Sequence, residues 1–366
     1  MPRHLVLLFD GTWNRIRTHT NVERFWRLVA RADAHGHDQT CKYVKGVGVA
    51  PGLKRWLGGA FGMGLSDNVQ EGYRWLSEQW GEGDEIWLFG FSRGAYTARS
   101  LGGLIRKCGL WPPGADGKVS QADVDTAYAY YRDKQIKPGP ATDQWCVEHG
   151  TRQVDIRFIG VWDTVGELGV PGVGGWFPFA RSNYGFHDTD LSKVVQYAYQ
   201  ALALDEHRAD FQPTKWERDP DDLGPGETIK SKKPEQLDVE QRWFVGAHAD
   251  VGGGEEADGA GAAPDTLPEI ALAWLQAKAA AAGLAFKDVF VPAADAERGM
   301  PNDSYGQFMN GVYRLFKKPD VRVIGGGVRE TIDASIWKKW GETYCPPSLQ
   351  TALDAGLVRH GLEEVA

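Results

Sequence analysis

Four short apolar runs, each ending on a polar or reactive residue, constrain the fold more than any other feature of the chain. Leu5 to Phe9 leads into Asp10-Gly11-Thr12, Glu85 to Phe91 into Ser92, Val154 to Trp162 into Asp163, and Gln241 to Ala247 into His248. Short continuous apolar runs are the pattern of strands buried on both faces, as in parallel sheets covered by helices. Between them lie helix-patterned stretches: Asn21 to Ala32, Leu65 to Trp80, Gly94 to Cys108, Leu191 to Leu204 and Pro268 to Ala282. Strands alternating with such helices predict βαβ units and a mostly parallel α/β sheet with helices on both faces. Ligands of open α/β sheets sit beyond the carboxyl ends of the strands, so Asp10, Ser92, Asp163 and His248 are expected along one edge.

Gly90-Phe91-Ser92-Arg93-Gly94 fits the G-x-S-x-G pattern, in which two glycines allow a sharp turn from strand to helix and push the serine oxygen outward. In a chain this rich in glycine the pattern has a chance expectation of roughly 0.17, so its context matters more than its letters. An apolar strand pattern precedes Ser92 and a helix pattern follows it. A serine hydroxyl needs a base within hydrogen-bond reach and an acid to orient that base. The order Ser, Asp, His is met by Ser92, Asp163 and His248, each at the end of an expected strand. Of the nine histidines, His187 and His207 are the competitors, and Asp205 is the rival acid. The oxyanion of a tetrahedral intermediate calls for backbone donors, here Arg93 after the nucleophile and Gly11 or Thr12 after the first strand.

A different chemistry is open to the same edge. Asp10, Asp163, His248 and Asp250 are hard ligands that could hold a metal for hydrolysis, although Ser92 then has no role. Asp250, in Asp-Val-Gly-Gly-Gly, also suits a structural part in the turn that presents His248. No phosphate-binding or dinucleotide-binding glycine fingerprint occurs. No cofactor is expected.

Phe9 to Asn14, Gly90 to Arg99, Phe158 to Gly166, Ala201 to Glu206 and Trp243 to Gly254 form an ordered set of motifs. Together they resemble the α/β-hydrolase family catalogued as domain of unknown function 2235, which includes bacterial type VI secretion phospholipase effectors with a G-x-S-x-G serine. The resemblance covers roughly residues 3 to 280. It implies an α/β-hydrolase-like fold, a Ser92-Asp163-His248 triad, a serine esterase or lipase acting on lipid or phospholipid esters, and a partner in secretion or immunity. The chain departs from the family pattern at Gln200, where a His is common, and at Ala249, where a Ser is common.

The expected organisation is a catalytic domain over 1–290 with insertions at about 109–150 and 168–190, followed by a C-terminal extension over 291–366 packed on the same domain. An apolar substrate wall or interfacial loop is expected from Trp56, Phe61 and Met63 in the glycine-rich stretch after Val47, and from Trp176 and Phe177 in the second insertion. A catalytically silent interaction domain of the same fold is the alternative from another function class, and the complete Ser, Asp and His set argues against it. A net charge of −8, from 41 Lys+Arg and 49 Asp+Glu, opposes whole-chain attraction to nucleic acid or anionic lipid. Membrane contact would be transient and would rest on local apolar surface. Cys41, Cys108, Cys146 and Cys345 are widely spaced, so reduced thiols are expected. The apolar run at the N-terminus is too short for a signal peptide core, and no stretch reaches a membrane span. The expected location is the cytoplasm as synthesised, with any export by a signal-independent route.

Overall fold

The computed structural model describes residues 2–11, 19–46, 59–133, 135–165, 191–254, 265–341 and 343–365, with the side chains of 59–63 and 309–310 outside the description. Its centre is a seven-stranded sheet. The strands are β1 (His4–Phe9), β2 (Gln39–Val44), β3 (Glu85–Phe91), β4 (Ile156–Trp162), β5 (Val195–Ala203), β6 (Asp238–Phe244) and β7 (Glu330–Ile332). They lie in the order β2-β1-β3-β4-β5-β6-β7, and every neighbouring pair is parallel. This is the α/β architecture that the alternating pattern predicts.

Alternate residues of each strand feed opposite cores. Leu5, Leu7 and Phe9 pack with α2 (Gly59–Gln79), α3 (Arg93–Cys108) and α4 (Gln121–Arg132), whereas Val6 and Leu8 pack with α1 (Asn21–Leu28) and α7 (Leu267–Ala282). A third cluster joins Leu202, Trp243 and Ile332 to Ile336 and Leu349 of the C-terminal helices. The segment after 290 thus adds β7 to the sheet and helices against it.

Two expectations need correction. Leu191 to Leu204 is not a helix: Val195–Ala203 is the strand β5, hydrogen-bonded between β4 and β6. Its alanines and glutamines favour a helix locally, but pairing on both sides outweighs propensity. The run before His248 stops pairing at Phe244, so His248 follows a short loop and opens α6 (His248–Gly252). The first insertion carries two helices, α4 and α5 (Pro140–His149). The other insertion, 168–190, lies outside the described residues. No described helix is long and apolar enough to cross a membrane, and the four cysteines are free thiols.

The chain runs from β1 outward to β2 and then back across β1 to β3, so the sheet order reverses between β1 and β3. Such a switch point opens a crevice at the carboxyl ends of its strands. Asp10 follows β1 there, and Ser92 follows β3.

Candidate active site

The turn at Ser92 is built by close contact. A Cβ on Gly90 would lie 2.4 Å from the Gly94 carbonyl oxygen, and one on Gly94 would lie 2.0 Å from the Phe9 carbonyl oxygen. Only glycine lets α3 leave the strand so near β1. Ser92 is forced to φ 57° and ψ −120°, a conformation that costs a non-glycine residue about 1–3 kcal/mol and persists only where the surroundings impose it. Its N–H donates to the Trp162 carbonyl at 3.0 Å, which ties the turn to the end of β4.

Asp163, the next residue after β4, also has a positive φ, 40°. Its fully buried carboxylate accepts from His248 Nδ1 at 2.5 Å and from the Ala203 N–H at 3.0 Å. The Asp163–His248 pair is therefore formed, with Nδ1 as the donor and Nε2 left as the acceptor. The His248 ring lies between Phe91, at 4.6 Å between centroids, and Phe211, at 5.4 Å. Ser92 is the residue after Phe91, yet its Oγ makes no hydrogen bond to His248 among the described residues. Such bonds commonly tighten only once substrate is bound.

Arg322, which sequence reasoning missed, is the unexpected partner. Its Nη1 donates to Asp163 Oδ1 at 2.6 Å and to the Ala203 carbonyl at 2.7 Å, while Nη2 donates to Asp163 Oδ2 at 2.9 Å and to the Phe211 carbonyl at 2.6 Å. Both side chains are completely buried. Burial pushes the Asp163 pKa upward, but the Arg322 charge and the His248 hydrogen bond outweigh it and hold the carboxylate well below the usual range. Burial lowers the His248 pKa below 6.5 despite the opposing pull of Asp163. His248 is thus a neutral imidazole at neutral pH, the state in which Nε2 can accept a proton.

The rival residues brace this group. Asp205 accepts from the Gly246 N–H at 2.7 Å and the Tyr344 hydroxyl at 2.8 Å, and so fixes the loop before His248. Glu206, held near pKa 2 because Arg208 outweighs its burial, accepts from the His248 N–H at 3.3 Å. His207 faces the Asp320 carbonyl instead. Asp250 accepts from the Ala247 N–H at 2.7 Å, the structural part that its sequence context suggests.

Of the expected oxyanion donors, Arg93 opens α3 with a first-turn N–H that no intrahelical carbonyl can take. Its buried guanidinium is pushed down to about pKa 9 by desolvation. The Gly11 N–H donates to Asp10 Oδ1 at 2.7 Å, so in this conformation it is engaged. Thr12, Trp56, Trp176 and Phe177 lie outside the described residues, and Phe61 and Met63 fall among the first five residues of α2, where side chains are not described.

Asp10, Asp163, His248 and Asp250 do not converge as a ligand set. Asp10 accepts from Thr20 at 2.8 Å and from Tyr43, and Asp250 from Ala247 and Asn302. Among the described residues, the grouping with metal-ligand spacing is His4, Asp33 and His37, at the amino end of β1 and β2.

A protein of Saccharomyces cerevisiae described only as uncharacterized is 27% identical over 232 residues, which are 57% of this chain and 32% of that protein. A structure titled as the Tle1 effector bound to the VgrG spike of the type 6 secretion system has a TM-score of 0.43 at 17% identity, covering 71% of this chain and 52% of that one. An uncharacterized protein from Pseudomonas aeruginosa has a TM-score of 0.46 at 18% identity, covering 87% and 51%. The chain thus spans about a third of the yeast relative and about half of each solved one. Residues 3–278 match the family profile described as "T6SS, Phospholipase effector Tle1-like, catalytic domain", and the chain belongs to that family.

Proposed function

We propose that this protein is a serine hydrolase that cleaves carboxylic esters of phospholipids through an acyl-enzyme. The observation that carries this reading is the Asp163–His248 hydrogen bond beside the strained serine turn. Ser92 Oγ attacks the ester carbonyl while His248 Nε2 takes its proton. Asp163 holds the imidazole through Nδ1 and stabilises its charge. His248 then returns the proton to the leaving alcohol, and water attacks the acyl-enzyme by the same route in reverse. The oxyanion donors in this reading are the Arg93 N–H and that of Gly11 or Thr12, Gly11 serving only when its N–H leaves Asp10 Oδ1.

The phospholipid class rests on the family description. It is supported by exposed Val312, Leu315, Phe316, Val321 and Val323 on the segment that carries Arg322, whose Phe308 ring packs on Phe211 beside His248. The same description supports delivery by a type VI secretion apparatus, with a component of that apparatus as partner. Residues 1–290 are the catalytic domain in this reading, and 291–366 an extension that completes it.

Fluorophosphonate labelling of wild type and Ser92→Ala tests the nucleophile, and hydrolysis of esters of increasing chain length, with and without chelator, tests the substrate. Labelling that survives in Ser92→Ala would overturn the assignment. Loss of activity with chelator would favour a metal route, and a preference for short soluble esters would remove the lipid class.

A further inference from the structure

We propose that Arg322 is a positioning residue of this site: it clamps the Asp163 carboxylate for His248 and offsets its charge, so that the base stays neutral into acidic solution. This deepens the serine-hydrolase reading and rests on it. The residue lies beyond the segment that carries the family match.

The geometry is that of a clamp. Each Nη atom takes one carboxylate oxygen and one backbone carbonyl, so the guanidinium plane is fixed by Ala203 at the end of β5 and by Phe211. A planar fork on two carboxylate oxygens leaves the carboxylate no rotation about its bond to Cβ. The Oδ2 lone pair that receives His248 Nδ1 is therefore aimed before any substrate arrives. Lysine, with a single point of charge, cannot hold both oxygens in one plane.

The charge has a separate consequence. When His248 takes the serine proton, its imidazolium meets an Asp163–Arg322 pair that is neutral as a whole, not a lone carboxylate. The stabilisation of the imidazolium is smaller, and its proton is more readily passed on to the leaving group. The other charged groups around the ring pull in opposite directions. Arg208 lowers and Glu206 raises the His248 pKa from the loop after β5, while Asp250 on its own helix directs its carboxylate to Ala247 and Asn302. Burial between Phe91 and Phe211 acts in the same direction as Arg322.

The test compares wild type, Arg322→Lys and Arg322→Gln. The rate of Ser92 labelling by a fluorophosphonate is followed from acid to neutral pH. In a Ser92→Ala background, the downfield resonance of the proton between Asp163 and His248, and the ring resonances of His248, are followed by NMR over the same range. Arg322→Gln is expected to move the acid limb and the His248 midpoint upward by about one pH unit, with Arg322→Lys between it and wild type. It is also expected to broaden the downfield resonance, because the carboxylate is free to turn. A folded Arg322→Gln protein whose acid limb, midpoint and downfield resonance match wild type would overturn the proposal. If neither variant folds, the Arg322 Nη protons of the Ser92→Ala protein decide: separate resonances protected from exchange are expected for a guanidinium held on both Nη atoms, and a single averaged, freely exchanging resonance overturns the proposal. Absence of Ser92 labelling in wild type would instead remove the hydrolase reading, and the NMR arm would still report on the clamp.

Discussion

Replacing Gly94 by alanine tests whether backbone contact, not local preference, creates the Ser92 turn. In an ordinary helix this change would stabilise by about 1 kcal/mol, because alanine is the better helix former. At Gly94 the new Cβ would stand 2.0 Å from the Phe9 carbonyl oxygen, 2.6 Å from its carbon and 2.7 Å from the Asp10 carbonyl oxygen. Every one of these atoms belongs to the backbone at the end of β1, so no side chain can swing aside. Restoring a carbon–oxygen contact of about 3.3 Å requires α3 and β1 to part by about 1 Å. Overpacking of this kind costs about 1–3 kcal/mol, and a reacting group displaced by about 1 Å loses on the order of 10²-fold in rate. Gly102, two turns along the same helix, supplies the control. There the Cβ would meet only Ile159 Cδ1 at 3.1 Å and Ile156 Cδ1 at 3.5 Å, the ends of side chains that can give. Urea unfolding followed by tryptophan fluorescence should place Gly94→Ala about 2 kcal/mol below wild type and Gly102→Ala within about 1 kcal/mol of it. Fluorophosphonate labelling should fall on the order of 10²-fold in the first and hold in the second. A Gly94→Ala protein with wild-type stability and labelling rate would refute the steric account of the turn.

Asp163→Asn should lower the labelling rate by about 10³- to 10⁴-fold and, because Arg322 is left buried without its anion, destabilise by about 3–5 kcal/mol; adding Arg322→Gln should recover part of the stability and none of the rate, as read by urea titration and labelling. The same carboxylate has a depressed pKa in the folded protein, so its contribution to stability is complete above the ordinary value of 3.8 and is lost as pH falls below it; urea midpoints of Asp163→Asn should show a weaker acid dependence than wild type. Asp250 behaves in the opposite sense, since burial and the neighbouring Asp265 raise its pKa. The folded state keeps a proton that the unfolded state releases above 3.8, so stability declines as pH rises from there, and Asp250→Asn should flatten that slope in thermal unfolding curves. Tyr344→Phe removes the hydroxyl that Asp205 accepts and should cost about 1–2 kcal/mol in the same assay.

The sheet was legible where a strand announces itself through its own residues. Leu5 to Phe9 and Ile86 to Phe91 are apolar at successive positions because both faces are buried, and each stops before a residue whose chemistry belongs at a strand end. Strand β5 gave no such signal. Its Gln200 is fully buried by contacts that come from elsewhere: Arg99 of α3, Thr164 after β4, and Gln241 of β6. A glutamine read alone suggests an exposed helix face, and only the completed sheet makes it an interior one. Arg322 shows the same limit more sharply, because its local pattern points the wrong way. In Val321-Arg322-Val323 an alternating segment should bury the valines and expose the arginine. The protein does the reverse: Arg322 is 1% exposed, Val321 38% and Val323 71%. Burying a guanidinium against its own pattern is costly unless a fixed anion and further acceptors receive it. Asp163, distant in sequence, is that anion, and the Ala203 and Phe211 carbonyls are those acceptors. The inversion of the pattern is therefore itself the mark of a specific partner, and it turns a segment that reads as surface into one wall of the site.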